Sequence, residues 1–156
     1  MPVRKAQIKD VSHIHALINC YAEKGLLLPR SLSDIYEHVR DYFILEKDGL
    51  IVGACALGIC WEDLAEIRSL VVKGDRQGKG FGSMLVGECI KEAKSLGIKR
   101  IFVLTYVPDF FARFGFQKIK KSSLPHKIWS DCLRCPKFPE CDEIAMSMDI
   151  GDIGGR

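Results

Sequence analysis

The run Gln77-Gly78-Lys79-Gly80-Phe81-Gly82 places three glycines and a lysine within six residues, between an apolar segment ending at Val72 and an amphipathic one beginning at Phe81. Glycines let successive backbone N–H groups turn toward one point, and a helix start adds positive potential there, so the place suits a pyrophosphate. The plainer alternative is a glycine turn entering a helix. No Lys-Ser/Thr pair follows the last glycine, which excludes a Walker loop. The run lies mid-chain after a hairpin pattern, which is not where a dinucleotide fingerprint opens its βαβ unit.

A second group of reactive side chains lies in Lys121–Cys141, a stretch with three prolines, three cysteines and no clean period. Cys132 and Cys135 have the two-residue spacing that lets neighbouring thiolates share a metal, and Cys141 with His126 would complete a tetrahedral zinc site. A packed surface loop or a redox pair accounts for the same residues. Glu66 opens an apolar strand, where it is either an ordinary strand-end carboxylate or a candidate general base, acting directly or through a water. Arg30 follows Pro29 in a loop between two helical patterns, where the mouth of a strand-end site could receive it.

Several elements must position these groups. Val3 to Ile8 reads as a strand, and Asp10 as the cap of a helix whose apolar stripe is Val11, Ile14, Ile18 and Tyr21, with Gly25 at its end. Ser31 with Asp34 starts a second short helix reaching about Arg40. Phe43–Glu46 and Leu50–Cys60 flank Asp48-Gly49, which supplies the positive φ of a tight hairpin turn. Ala65–Val72 is the next strand, followed by the glycine run and a helix with Phe81, Leu85, Cys89 and Ala93 on one face, closed by Gly97. Lys99–Tyr106 is apolar at most positions and belongs at the centre of a sheet. Asp109 is expected to cap a short helix through Phe114, Gly115 then releases a strand over Phe116–Lys120, and Glu143–Met148 forms a last strand. The sum is an α/β fold: a mixed central sheet of six to seven strands flanked by about four helices. It is expected as one domain over residues 1–150 with a cysteine-rich loop at 126–141 and a tail at 151–156.

Composition restricts the function classes. With 156 residues the chain fits one domain and can bury a core without disulfides. The hydrophobic fraction is 47%, the charged fraction 28%, and no apolar run approaches the roughly 18 residues of a membrane span. The formal charge of +3 is dispersed among acids, unlike the basic stripe of a nucleic-acid binder. Seven cysteines form an odd set with no export signal, which argues against a secreted disulfide framework. Cys20, Cys55, Cys60 and Cys89 lie within apolar patterns and read as small core residues. The expectation is a cytoplasmic protein with no membrane or nucleic-acid partner.

Gln77, Gly80 and Gly82 match the Gln/Arg-x-x-Gly-x-Gly/Ala signature of the GNAT acetyltransferase family, which the chain resembles in its order of elements. Phe110-Phe111-Ala112-Arg113-Phe114-Gly115-Phe116 is similar to the family's later motif, an aromatic pair before a Gly-Phe step. The resemblance implies acetyl-coenzyme A as co-substrate. Its pyrophosphate would rest on Gln77, Gly78, Lys79, Gly80, Phe81 and Gly82, its pantetheine arm would run along Leu70 and Val72, and Phe111 would lie against it. A closer resemblance is to the acetyltransferase domain of bacterial N-acetylglutamate synthases. It is carried by Val3-Arg4-Lys5-Ala6 with Asp10, Lys24-Gly25-Leu26-Leu27-Leu28-Pro29-Arg30-Ser31, Glu66-Ile67 and Phe102-Val103-Leu104-Thr105.

That closer likeness implies glutamate as the acceptor amine, in the first step of arginine biosynthesis. Arg4, Arg30 and Lys127 would bind its carboxylates, with Ser69 and Thr105 beside them. Transfer would proceed by direct attack of a neutral amine on the thioester, Glu66 serving as base and backbone N–H groups near Leu70 holding the oxyanion. Many family members carry a Tyr where this chain has Phe111, so the proton donor to the leaving thiolate is unassigned, and Tyr106 is the nearby candidate. A thiolate is a tolerable leaving group, its acid having a pKa near ~8.5. The cysteine loop is similar to that of short stand-alone relatives, and exposed strand edges fit a homodimer. Two other functions remain open: acetylation of a different amine, such as a protein N-terminus, a lysine or a polyamine, and a non-catalytic acyl-coenzyme A or redox sensor.

Overall fold

The computed structural model describes residues 3–25, 27–74, 80–124 and 143–151. Among them are seven strands and four α-helices, in the order β1 (Val3–Lys5), α1 (Val11–Ala22), α2 (Leu32–Glu37), β2 (Tyr42–Lys47), β3 (Leu50–Trp61), β4 (Leu64–Val72), α3 (Phe81–Ser95), β5 (Arg100–Thr105), α4 (Pro108–Ala112), β6 (Gln117–Lys118) and β7 (Ile144–Asp149). The strands join one sheet in the order β1-β2-β3-β4-β5-β7-β6, the mixed α/β architecture expected from the sequence. By contacts the chain divides into two compact units, Met1–Gly58 with Ile67–Glu92 and Ile59–Glu66 with Ala93–Arg156.

The first unit is built on the β2–β3 hairpin. Asp48 and Gly49 take φ of 54° and 79°, the two positive values that let a two-residue turn match the twist of its strands. Tyr42 then pairs with Ala56 and Ile44 with Ala54, while β1 lies antiparallel on the outer side of β2. The small residues Ala54 and Ala56 leave room for the stripe of α1, whose Val11, Ile14 and Ile18 are fully buried in one cluster with Ile35, Tyr42, Ile44 and Val71. Each such aliphatic side chain contributes about 1.5–3 kcal/mol through burial, so this stripe holds α1 in place. On α3 the expected face is also found, with Leu85, Cys89 and Ala93 all buried. The Cys89 and Cys55 sulfurs meet at 3.6 Å, and the contact with Cys89 together with burial pushes the Cys55 thiol well up, into an inert packing group.

The second unit pairs β7 with β5 on one side and with β6 on the other, both antiparallel. Its core joins Leu64, Phe102, Leu124 and Ala145. Phe111 packs edge-on against Phe110 and Phe116, with ring centroids 5.0 and 5.4 Å away.

Several boundaries differ from those read in the sequence, each for a local reason. β1 stops at Lys5, because Gln7 to Asp10 folds into a 3-10 turn in which the Gln7 amide donates to the Asp10 carboxylate at 2.7 Å. Asp10 therefore turns backward and makes no side-chain cap on α1. Ser31 does cap α2, accepting from the Asp34 amide, but the helix ends at Glu37 and a second 3-10 turn covers Val39–Asp41. At α4 the N-cap is Val107, with Pro108 in the first turn where its missing N–H costs nothing, so Asp109 is not the cap. β6 is limited to Gln117 and Lys118.

Candidate active site

Of the cations expected to bind an acceptor, Arg4 and Arg30 have opposite surroundings. Arg4 is committed within the chain. Its Nη1 and Nη2 donate to the two Asp10 oxygens at 2.9 and 3.1 Å, Nε donates to Glu46 Oε1 at 3.1 Å, and Nη1 also reaches the Lys5 carbonyl. Burial alone would push the Asp10 carboxyl up. The hydrogen bonds from Arg4 and the Gln7 amide outweigh it and hold the group below the ordinary carboxylate value. The fork-on-carboxylate geometry fastens β1 to the 3-10 turn.

Arg30 is held by its backbone instead. The Asn19 side chain, on α1, donates to the Arg30 carbonyl at 2.9 Å and accepts from the Arg30 amide at 3.3 Å, so one carboxamide fixes both polar groups of the residue. The side chain is only 12% exposed, has Asp34 Oδ2 at 3.7 Å from Nη1, and carries a buried Nε with no hydrogen-bond acceptor among the described residues. A buried donor left unsatisfied costs about 1–3 kcal/mol, which an incoming carboxylate would relieve.

Arg30 faces a small polar group in the first unit. Tyr42 is 3% exposed, and burial pushes its phenol up against a hydrogen bond with Ser69 and the positive charges of Arg30 and Arg68. Ser69 has φ of 55°, the one left-handed non-glycine residue of a strand among the described residues. Such a backbone costs on the order of 1–3 kcal/mol and interrupts the regular alternation of β4 just before Leu70. Asp41 lies nearby; burial pushes its carboxyl up despite the charges of His38, Arg68 and Lys5.

The cofactor candidates in this unit are β4, on which Leu70 and Val72 are both half-buried, and the entry to α3. Gly80 has φ of 82° with nothing among the described residues within 4 Å of where a Cβ would sit, and its carbonyl accepts from the Met84 amide to open the helix. Phe81, in the first turn of α3 with Gly82, lies 6.0 Å from the Lys47 ammonium. Gln77, Gly78 and Lys79 lie outside the described residues, as do Lys127 and the Cys132, Cys135, Cys141 group.

In the second unit, Glu66 is half-buried within β4 and Tyr106 follows β5. The Thr105 hydroxyl, expected beside the acceptor, accepts from the Val107 amide at 2.9 Å. Phe111, expected against the cofactor, is 2% exposed within its aromatic cluster. A cavity of about 470 Å³ on this unit is lined by Asp63, Arg100, Phe102, Leu124 and Asp149. It contains none of the candidates, and Arg100 and Asp149 already pair across it at 2.9 Å.

Sequence reasoning missed Asn19, Tyr42 and Arg68. Asn19 is one of several polar residues on α1 and carried no signal, whereas an Arg within a largely apolar strand was the signal for Arg68.

Comparison with known proteins bears on the family. Residues 12–116 match the model of the Acetyltransferase (GNAT) family. The chain is 42% identical over 144 residues to an uncharacterized N-acetyltransferase of Chlorobaculum tepidum, covering 92% of this chain and 93% of that one. It is 35% identical over 152 residues to an amino-acid acetyltransferase of Mycobacterium tuberculosis, covering 96% and 80%. Among solved structures it is similar to N-acetylglutamate synthase from Neisseria gonorrhoeae complexed with coenzyme A and N-acetyl-glutamate. That likeness has a TM-score of 0.87 and 31% identity, over 96% of this chain and 35% of that longer one. With the family model spanning most of the chain and relatives of this similarity, the protein belongs to the GNAT acetyltransferase family and is an N-acetyltransferase.

Proposed function

We propose that the enzyme transfers the acetyl group of acetyl-coenzyme A to the α-amino group of L-glutamate, giving N-acetylglutamate, the entry to arginine biosynthesis. The observation that carries this reading is Arg30: a side chain 12% exposed, fixed through its backbone by Asn19, with a buried Nε that lacks an acceptor among the described residues. A carboxylate is the ligand whose geometry and charge satisfy such a group. The likeness to an amino-acid acetyltransferase, and to a synthase whose structure holds N-acetyl-glutamate, supports an amino-acid acceptor with two carboxylates. A polyamine acceptor would want carboxylates where this site presents guanidinium groups.

In this reading the amine attacks the thioester carbonyl directly. Glu66 accepts the amine proton, alone or through a water, and the carbonyl oxygen gathers negative charge as the tetrahedral intermediate forms. The backbone N–H groups around Leu70 are the proposed donors to that oxygen, since the left-handed Ser69 turns the next peptide out of the regular strand. Collapse expels the coenzyme A thiolate, for which Tyr106 is the proposed proton source. The entry to α3 at Gly80, where no described residue stands within 4 Å of a Cβ, is the proposed seat of the pyrophosphate. Arg4 takes no part in this scheme, because Asp10, Glu46 and the Lys5 carbonyl occupy its donors.

Thiol release from acetyl-coenzyme A, measured against glutamate, aspartate, spermidine and a lysine peptide, with the product identified by mass, tests the assignment. Glutamate should give the highest kcat/KM and a product of N-acetylglutamate mass. Faster turnover of spermidine or the lysine peptide would refute the acceptor while leaving the family intact.

A further inference from the structure

Arg68 precedes the left-handed Ser69 on β4, and its guanidinium occupies the space where Gly58 on β3 would carry a Cβ. A Cβ added to Gly58 would stand 2.2 Å from Nη2, 2.6 Å from Cζ and 2.8 Å from Nε of Arg68. At these distances a Cβ on Gly58 would displace the Arg68 guanidinium from its seat. Gly58 has no left-handed φ, so its backbone conformation does not call for glycine; the space taken by the guanidinium does.

The seat matters because of where it puts the charge. Nε of Arg68 is buried, as is Nε of Arg30. Both guanidinium groups act on the same Tyr42 phenol, which shares a hydrogen bond with Ser69, and Arg68 also acts on Asp41. Gly58 lies two residues beyond Ala56, which pairs with Tyr42, so the seat of Arg68 is on the face of β3 that carries this phenol, and both guanidinium groups, one from a loop before α2 and one from β4, lie within electrostatic reach of it. Each has a carboxylate of the chain in its neighbourhood, Asp34 for Arg30 and Asp41 for Arg68, so neither is an uncompensated charge. One anion with two carboxylates can engage two such forks at once.

We propose that Arg68, seated on Gly58, is the second carboxylate-binding group of the acceptor site and, with Arg30, selects an amino acid carrying two carboxylates over one carrying a single carboxylate. This rests on the acceptor reading above and adds to it the residue that reads the second charge. Gly58 acts through Arg68 and is a positioning residue. Glutamine is the discriminating competitor, since it matches glutamate in length and leaves one guanidinium without its carboxylate.

The experiment measures kcat/KM for glutamate and for glutamine, together with KM for acetyl-coenzyme A, in Arg68→Met, Arg68→Lys, Gly58→Ala and the Gly58→Ala/Arg68→Met double variant, each checked for cooperative melting. Arg68→Met should lower kcat/KM for glutamate by about ten- to hundredfold, chiefly through KM, and lower that for glutamine far less. KM for acetyl-coenzyme A should stay within about twofold of the wild type, as expected for uniform acceptor binding lost at one site. Arg68→Lys should recover part of the loss. Gly58→Ala should reproduce the glutamate defect in the wild-type background and add nothing to Arg68→Met, because the residue it displaces is gone. If Arg68→Met fails to melt cooperatively, Arg68→Lys and Gly58→Ala still decide the matter. An unchanged glutamate-to-glutamine ratio in the folded variants would overturn the proposal, and so would a Gly58→Ala effect of equal size in both backgrounds. Wild-type enzyme that acetylates some other amine and not glutamate would fail at the acceptor reading itself, a different and separately visible result.

Discussion

Replacing Arg4 with Met should unsettle the fold and leave acceptor recognition alone. The side chain makes four hydrogen bonds, two of them to the Asp10 carboxylate, whose own side chain is 5% exposed. Met keeps most of the aliphatic volume and removes every donor, so Asp10 would remain buried with the Gln7 amide still donating to it. Stripping a buried carboxylate of its cation costs about 3–5 kcal/mol. Arg4 is 32% exposed and Glu46 39%, so water can reach the vacated side and the loss should fall to roughly 2–4 kcal/mol. At about 2–4 °C per kcal/mol for a domain of this size, Tm should drop by roughly 5–15 °C.

The sign of the pH dependence follows from Asp10. Its folded carboxyl is held below the unfolded reference of 3.8, so its stabilisation is complete above that value and is lost as the pH falls through the depressed one. The difference in Tm between wild type and Arg4→Met should therefore be full at pH 7 and narrow as the pH is taken below 3.8. Scanning calorimetry at several pH values, with steady-state kinetics on the folded variant at 25 °C, reads both quantities. A Tm within a degree or so of wild type, or a tenfold rise in KM for glutamate in a fully folded variant, would refute the reasoning and return Arg4 to the acceptor site.

Three further outcomes are expected. Arg30→Ala removes a charge-assisted carboxylate contact worth about 1.5–3 kcal/mol, so kcat/KM for glutamate should fall about ten- to hundredfold with KM for acetyl-coenzyme A nearly unchanged; equal damage to both ligands would point to a folding defect instead. Asn19→Ala frees the Arg30 backbone and should cost a smaller factor, about three- to tenfold, in the same acceptor-selective way, and an acetyl-coenzyme A defect in the kinetic assay would contradict that. Gly80→Val places a β-branched residue at φ of 82°, into the open space above the α3 entry, and should abolish coenzyme A binding in a calorimetric titration while the melt remains cooperative. Unchanged affinity would remove this position from the cofactor site.

Features set by local chemistry were the legible ones. Asp48-Gly49 announced a turn because few other pairs accept two positive φ values, and Val11, Ile14 and Ile18 announced the buried face of α1 through their spacing alone. The opening of α2 followed from Ser31 and Asp34 for the same reason. Contacts set by the return of the chain were not legible. Arg4 looks like an available cation until the 3-10 turn brings Asp10 back to it, and that turn depends on a Gln7 amide that carries no sequence signal. Thr105 and Phe111 sit at family motif positions, yet one serves the Val107 amide and the other an aromatic cluster. Gly58 in an apolar run carries no signal of its own; the Arg68 guanidinium that occupies its Cβ space comes from the neighbouring strand and is seen only in the fold.

The pairing of two guanidinium groups with a dicarboxylate is the core of the functional account, and the ratio of kcat/KM for glutamate to that for glutamine in the wild-type enzyme measures it most directly. Both substrates present an α-amine and an α-carboxylate of the same geometry, so the ratio isolates the second charge. A single charge-assisted contact of about 1.5–3 kcal/mol predicts a preference for glutamate of roughly ten- to hundredfold at saturating acetyl-coenzyme A. Equal values for the two amino acids, or a preference for glutamine, would contradict it.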